Sequence, residues 1–446
     1  MTKKSNINIQ MSWDKLVVPA KTNTERSLLI ELSADSDSKI KKIDRPPVNL
    51  ALVFDRSGSM DSPIDGSPID GSPIEAAKIA ASQIVEKLSP KDCLSLVSFD
   101  DVVTTHFSNV KMDIEGCNHA KQMISELYAR SMTNLSGGWF EGAKCATEAI
   151  DEGSFSNGYV IVLSDGMANH GITDPKELKM HATELASRGI QTSSIGIGAN
   201  YSPLQLDALA EGGEGRLHDT ETADDIIDVV LGELGEIGNT IARNIKLHIH
   251  SPRGVQFECL SKMQGHRSGS FFQIDIGSLQ LHQTKSVALL TKVGEFPNGN
   301  DLSFKAHITW EELETGKQNE SPVVNSTLKV VTLKKAESAA INTAVVRKVA
   351  DLWEASLAYQ AMIFNEQNRF GRASRVYDDI LESYDMCINS LEDKESRINR
   401  FKSAQRRVAR QWQGRSKRSS YNLSKKMMMG ESDLRDRDTG NWHDEL

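Results

Sequence analysis

Between residues 48 and 238 the sequence alternates short apolar runs with amphipathic stretches, which restricts that part of the chain to a parallel β-sheet covered by helices on both faces. Residues 48–54 read as a buried strand, and further strands are expected at 93–99, 159–163, 192–197 and 215–218. Apolar residues at helical spacing predict helices at 74–88, 118–128, 139–150, 175–187 and 222–237, while 102–110 reads as an antiparallel edge strand. The fold class that follows is α/β, a doubly wound sheet.

Past residue 238 the apolar period changes to two. Ile245, Leu247 and Ile249 alternate with Lys246, His248 and His250, and similar runs follow at 270–276, 285–292, 302–310 and 323–333. These strands predict a β-sandwich. The apolar runs at 15–18 and 27–32 have no sheet of their own, so they are expected to complete that sandwich, with the α/β domain inserted between its parts. Residues 337–413 contain no proline and one glycine, Gly371, while Val345, Val349, Leu352, Ala355 and Leu357 recur at helical spacing. Two or three packed helices are expected there. The expected division is therefore 1–46 for the N-terminal strands, 47–240 for the α/β domain and 241–335 for the sandwich, then 336–413 for a helical hairpin or bundle and 414–446 for a disordered, charged tail.

Hydrophobic residues at 39% of the 446 are enough for a sizeable core, and the net charge of −9 speaks against nucleic acid as the partner of the whole molecule. Five widely spaced cysteines without a Cys-x-x-Cys pair fit free thiols in a reducing compartment. With no apolar leader and no membrane-length apolar stretch, a cytoplasmic location is expected. The final residues, His443 to Leu446, spell an endoplasmic-reticulum retrieval signal, which is read as incidental without a leader. Ser-Pro-Ile-Asp-Gly occurs at 62–66 and again at 67–71, and is read as an insertion tolerated in a surface loop.

The residues that carry chemistry stand at the ends of expected strands. Asp55-Arg56-Ser57-Gly58-Ser59 follows the strand at 48–54, and in an open α/β sheet ligands sit beyond the carboxyl ends of the strands. A carboxylate and two hydroxyls at alternate positions of a tight loop offer hard oxygen donors, which suit Mg²⁺ or Mn²⁺ and not zinc. Thr133, in the loop before the helix at 139–150, and Asp165, directly after the strand at 159–163, reach the same edge.

Three segments, "LVFDRSGSM", "TNLSGG" and "VLSDG", taken in this order, resemble the von Willebrand factor type A family over residues 48–238. The resemblance implies a Rossmann-like domain whose metal-ion-dependent adhesion site is formed by Asp55, Ser57, Ser59, Thr133 and Asp165, some acting through metal-bound water. It implies Mg²⁺ first, with Mn²⁺ or Ca²⁺ as other hard cations, and a protein partner that presents an Asp or Glu to the metal. The arrangement is similar both to vesicle-coat subunits and to bacterial cytosolic proteins of the family, and the bacterial group is preferred. In that group the resemblance implies adaptors to AAA+ ATPases of the MoxR type, or to kinase and phosphatase modules. Relatives in which ligand moves the last helix imply coupling through 222–237. The repeat after Met60 departs from the family pattern and leaves the shape of the surrounding face open.

Two rival functions are weaker on sequence. A phosphoester hydrolase of the haloacid dehalogenase type wants a second acid two residues after Asp55, where this chain has Ser57, so no enzyme is expected. Residues 397–426 contain eleven Arg and Lys and no acid, with Trp412 and Tyr421 able to stack on bases, so a nucleic-acid-associated role is the alternative. A solvated basic face is preferred to it. His248 and His250 are read as the solvent face of a strand, and Met427 to Met429 as part of the tail.

Overall fold

The computed structural model describes residues 7–34, 47–61, 72–130, 132–165, 168–197, 201–220, 240–261, 263, 265–268, 271–280, 283–312 and 317–411, with positions 226, 229, 232 and 424. The repeat at 62–71, most of the helix expected at 222–237 and nearly all of the tail at 414–446 lie outside the described residues. Two compact units emerge, one of Met1–Ile40 with Thr240–Leu446, the other of Lys41–Asn239.

The first unit opens with β1 (Ile7–Trp13), β2 (Val17–Pro19) and β3 (Thr24–Ala34). The chain then passes into the second unit, whose strands are β4 (Asn49–Asp55), β5 (Cys93–Phe99), β6 (Val103–Lys111), β7 (Gly158–Ser164), β8 (Ile190–Ile197) and β9 (Glu214–Thr220). They form a six-stranded sheet in the order β6-β5-β4-β7-β8-β9, parallel except for the edge strand β6. The order reverses between β4 and β7, and such a reversal opens a crevice at the carboxyl ends of the strands.

Among the described residues, this sheet is covered by α1 (Pro73–Lys87), α2 (Ile114–Ser125), α3 (Leu135–Asp151), α4 (Pro175–Ser187) and α5 (Pro203–Gly212). Leu50, Leu52 and Phe54 of β4 pack with Ala77, Ala81 and Ile84 of α1. Ala51 and Val53 face α3 at Gly142, where a Cβ would stand 2.4 Å from Val53 Cγ2, so the helix lies close to the strand only because it carries glycine there. Two helices begin earlier than their apolar pattern predicts, because caps precede that pattern. Asp113 accepts from the Gly116 amide and starts α2 at Ile114; Asn134 accepts from the Gly137 amide and starts α3 at Leu135. Helix α5 has no counterpart among the expected elements, since Gln205 to Ala210 are all buried and leave no polar face to set a period.

Back in the first unit, β10 (Thr240–His250), β11 (Val255–Cys259), β12 (Gly265–Ser268), β13 (Phe271–Gln280), β14 (Thr284–Val293), β15 (Asp301–Glu311), β16 (Gln318–Glu320) and β17 (Val324–Val331) follow. One sheet has the order β1-β3-β14-β11 and the other β12-β13-β10-β15-β17-β2, with β16 paired to β15. Leu28, Ile30, Leu32, Val287 and Leu289 of the first sheet share one core with Leu247, Ile249, Ile274, Phe304 and Ile308 of the second, so this is a β-sandwich. The strands before residue 35 contribute to both sheets. On β10 His248 and His250 alternate with those core residues; His248 is half-buried, with its ring stacked on His307 at 4.7 Å. None of the five cysteines is in a disulfide.

The expected strand at 323–333 stops at Val331, and the chain turns into helices: α6 (Leu333–Glu337), α7 (Thr343–Glu366), α8 (Phe370–Asp378), α9 (Leu381–Cys387) and α10 (Lys394–Val408). Val345, Val349, Leu352 and Trp353 of α7 pack on Leu29, Ala288 and Leu290, the face of the smaller sheet that points away from the sandwich core. That second burial explains why β14 is buried along nearly its whole length, Val287 to Leu290 on both faces. Arg397, the first residue of the basic stretch, is 2% exposed and bonds Asp351 at 2.7 Å, Glu354 at 2.5 Å and Asp393 at 3.1 Å. It is therefore an internal tie of the helices and no part of a nucleic-acid surface. No helix among the described residues is long and apolar enough to cross a membrane.

Removing the Arg397 guanidinium leaves Glu354 buried without its cation. Arg397→Ala is expected to destabilise this unit by about 3–5 kcal/mol in urea unfolding followed by tryptophan fluorescence. A loss below about 1 kcal/mol would contradict the assigned role.

Candidate metal centre

Asp55 is the last residue of β4 and is fully buried. Its Oδ1 accepts the Ser57 amide at 2.7 Å and its Oδ2 accepts the Ser164 hydroxyl at 2.5 Å. A short 3₁₀ turn at Gly58–Asp61, anchored by buried Met60, brings the Ser57 and Ser59 hydroxyls to 3.0 Å from each other. The Ser59 hydroxyl donates to Asp165 Oδ1 at 2.8 Å. Asp55, Ser57, Ser59 and Asp165 thus form one hydrogen-bonded chain joining the ends of β4 and β7, where the strand order reverses.

Thr133 lies on the loop ahead of α3 and is buried. Its amide donates to Asn169 Oδ1 at 3.1 Å, and its carbonyl accepts the amides of Asn169 at 3.2 Å and His170 at 3.3 Å. Its loop is therefore tied by backbone bonds to the segment after β7. Each hydrogen bond that links the other four residues uses at least one of their side chains, whereas those of Thr133 run through its main chain.

Burial dominates the electrostatics of the two carboxylates. Withdrawal from water pushes Asp55 up to about 6, against the hydrogen bonds from Ser164 and Ser57, and the nearby charge of Asp100 adds to the rise. Burial likewise pushes Asp165 up to about 7, opposed by the Ser59 hydrogen bond and reinforced by the charge of Asp55. Two carboxylates that resist ionisation, joined by neutral hydroxyls, make an all-oxygen donor set lacking positive charge of its own. Such a set fits a hard divalent cation. Among the described residues no cluster of three or more His, Cys, Asp or Glu could hold a metal, so the donor chemistry here is that of hydroxyls beside two acids, unlike a zinc site.

Sequence reasoning missed several residues that build this edge. Ser164 precedes Asp165 and was visible only as part of the motif, yet it bonds Asp55 directly. Asp100 follows β5 and pairs with Arg56 at 3.3 Å and with Arg130 at 3.5 Å, contacts between loops that no local pattern announces.

Residues 49–230 match the family model of the von Willebrand factor type A domain. The chain carries a von Willebrand factor type A domain. It is 24% identical over 237 residues to the uncharacterized protein YfbK of Escherichia coli, covering 52% of this chain and 38% of that protein. It is 23% identical over 326 residues to the uncharacterized protein sll0103 of Synechocystis, covering 70% and 72%. To inter-alpha-trypsin inhibitor heavy chain H3 of the rat it is 25% identical over 205 residues, covering 45% and 22%. The match thus spans well under half the length of two of these relatives. Among solved structures, the von Willebrand factor type A protein from Catenulispora acidiphila aligns over 97% of this chain and 99% of that one, with TM-score 0.65 and 14% identity. Human COPII-coat protein Sec24c aligns over 91% and 60%, with TM-score 0.55 and 10% identity. These structures share the fold of the A domain together with the elements that flank it.

The folded A domain without a cation holds protons on Asp55 and Asp165 that the unfolded chain releases near pH 4. Its stability in EDTA is therefore expected to fall as pH rises from about 4 to about 7. Asp165→Asn keeps the acceptor for Ser59 and removes one charge, so in EDTA at pH 7.5 it is expected to stabilise the domain by roughly 2 kcal/mol in thermal unfolding. A less stable variant would contradict the electrostatic account.

Proposed function

We propose that the A domain is a metal-dependent protein-interaction module of a cytosolic complex. Asp55, Ser57, Ser59, Thr133 and Asp165 would hold a divalent cation, Mg²⁺ first, directly or through water. When bound, the cation supplies an open coordination position that one Asp or Glu of a partner protein can fill. The observation that carries this reading is the hydrogen-bonded chain from Asp55 through Ser57 and Ser59 to Asp165, whose buried acids need a counter-charge.

The surroundings support binding over catalysis. Val102, Tyr128 and Met132, on the loops that carry the site, are large apolar side chains left exposed, as contact residues around a polar anchor are. None of the residues bonded within the group is a histidine, lysine or cysteine, and the acid beside Ser59, Asp165, is read as a donor to the cation and not as a base. We therefore read the protein as an adaptor and not an enzyme. Five free cysteines are in keeping with a reducing compartment. A MoxR-type AAA+ ATPase or a kinase or phosphatase module is the partner class we propose from the resemblance.

Mg²⁺ added to EDTA-treated protein is expected to raise its melting temperature by several degrees, about 2–4 °C for each kcal/mol of binding. Asp55→Ala is expected to abolish that rise. A partner captured from native lysate in Mg²⁺ is expected to be lost with EDTA and with Asp55→Ala; equal retention in EDTA would overturn the proposal.

A further inference from the structure

We infer that Asp100 is a positioning residue of the cation site: its carboxylate locks the Asp55 loop to the Thr133 loop and so sets cation affinity without ligating the cation. The inference rests on the cation reading above and goes beyond it in assigning a role to a side chain outside the five donors.

Asp100 stands immediately after β5 and is fully buried. Its Oδ1 accepts the Val102 amide at 2.7 Å, and its Oδ2 faces both Arg56 Nη2 at 3.3 Å and Arg130 Nε at 3.5 Å. Both oxygens are thus engaged by the protein itself. Its main-chain carbonyl accepts the amide of Asn134, the residue after Thr133, at 2.9 Å.

The two arginines belong to different loops of the site. Arg56 adjoins Asp55, and its amide donates to the carbonyl of Phe99 at 2.7 Å; Arg130, three residues before Thr133, donates its amide to the Arg56 carbonyl at 2.6 Å. The guanidinium of Arg56 also lies over the Tyr128 ring at 6.0 Å. One buried carboxylate therefore gathers the segments after β4, after β5 and before α3. The first turn of α3 is held just as closely, since a Cβ on Gly138 would stand 2.3 Å from Phe99 Cδ1. Ser59 is fixed to Asp165 and Asp55 to Ser164 by side-chain bonds, whereas Thr133 is placed by this backbone and guanidinium clamp together with its main-chain bonds to Asn169 and His170. A donor displaced by a fraction of an ångström weakens a small cation that demands regular octahedral geometry.

A second account gives Asp100 only a charge. On that account it merely neutralises Arg56 and Arg130 near a dication, and the two accounts diverge at Arg130. Arg130→Ala removes a positive charge, which by charge alone leaves the cation bound equally or more tightly; by positioning it frees the Thr133 loop and weakens binding. Arg130 is half-exposed, so the truncation leaves no buried hole.

The test is Mn²⁺ titration of the full chain, cation-stripped, with free Mn²⁺ read by its electron paramagnetic resonance signal and folding checked by circular dichroism. Asp100→Asn is expected to weaken Mn²⁺ roughly 10- to 100-fold, and Arg130→Ala about three- to tenfold. If Asp100→Asn does not fold, Arg130→Ala decides. Mn²⁺ affinity within twofold of the parent, or tighter, in Arg130→Ala overturns the inference, as does an unaltered affinity in folded Asp100→Asn. A parent chain that binds no Mn²⁺ removes the cation reading and this inference with it, whereas a binding parent with unaffected variants removes this inference alone.

Discussion

Asp55 and Asp165 end or follow adjacent parallel strands, and the geometry of a parallel sheet leaves them no choice but to meet. The register pairs Phe54 with Leu163, so Asp55 emerges beside Ser164 at the carboxyl edge, with Asp165 one residue further on and bonded to Ser59 of the Asp55 loop. There the strand order reverses, and the oxygens of the two side chains accept hydrogen bonds from Ser57, Ser59 and Ser164. Two buried acids in one place repel each other and resist losing protons. A fold that keeps them pays in stability, and the hydroxyls of Ser57, Ser59 and Ser164 only partly offset the lost hydration.

Against that local penalty stands the apolar core of the domain's described residues. Every residue of β4 and β5 is buried, and α1 and α3 close on the sheet through alanine and glycine contacts. The loops that bear the donors are clamped by Asp100, Arg56 and Arg130. Rigid strands hold the donors and loops adjust them, a division of labour that suits recognition. The other unit follows the same economy of surfaces: its smaller sheet buries one face in the sandwich core and the other under α7, with Arg397 satisfying the acids that the helices enclose.

The strands at 48–54 and 93–99 were legible because burial on both faces leaves an apolar run with few interruptions, and the α/β class followed from their alternation with amphipathic helices. The period of two in β10 likewise showed one face inward. What stayed hidden lacks a period to read. Helix α5 is buried on all sides, β12 and β16 are four and three residues long, and the early starts of α2 and α3 are decided by Asp113 and Asn134. At the candidate site, motif spacing pointed to donors on strand ends but not to Ser164 or Asp100, whose contacts join residues 109 and 44 positions apart. Long-range pairing of that kind exists only once the sheet has formed.

Anomalous diffraction from crystals of the full chain grown in Mn²⁺ tests the central claim most directly. A single strong peak is expected in the A domain, about 2.0–2.3 Å from oxygens of the Asp55 loop and within one water of Asp165. No peak at that edge under saturating Mn²⁺, or one held by other residues, would contradict it.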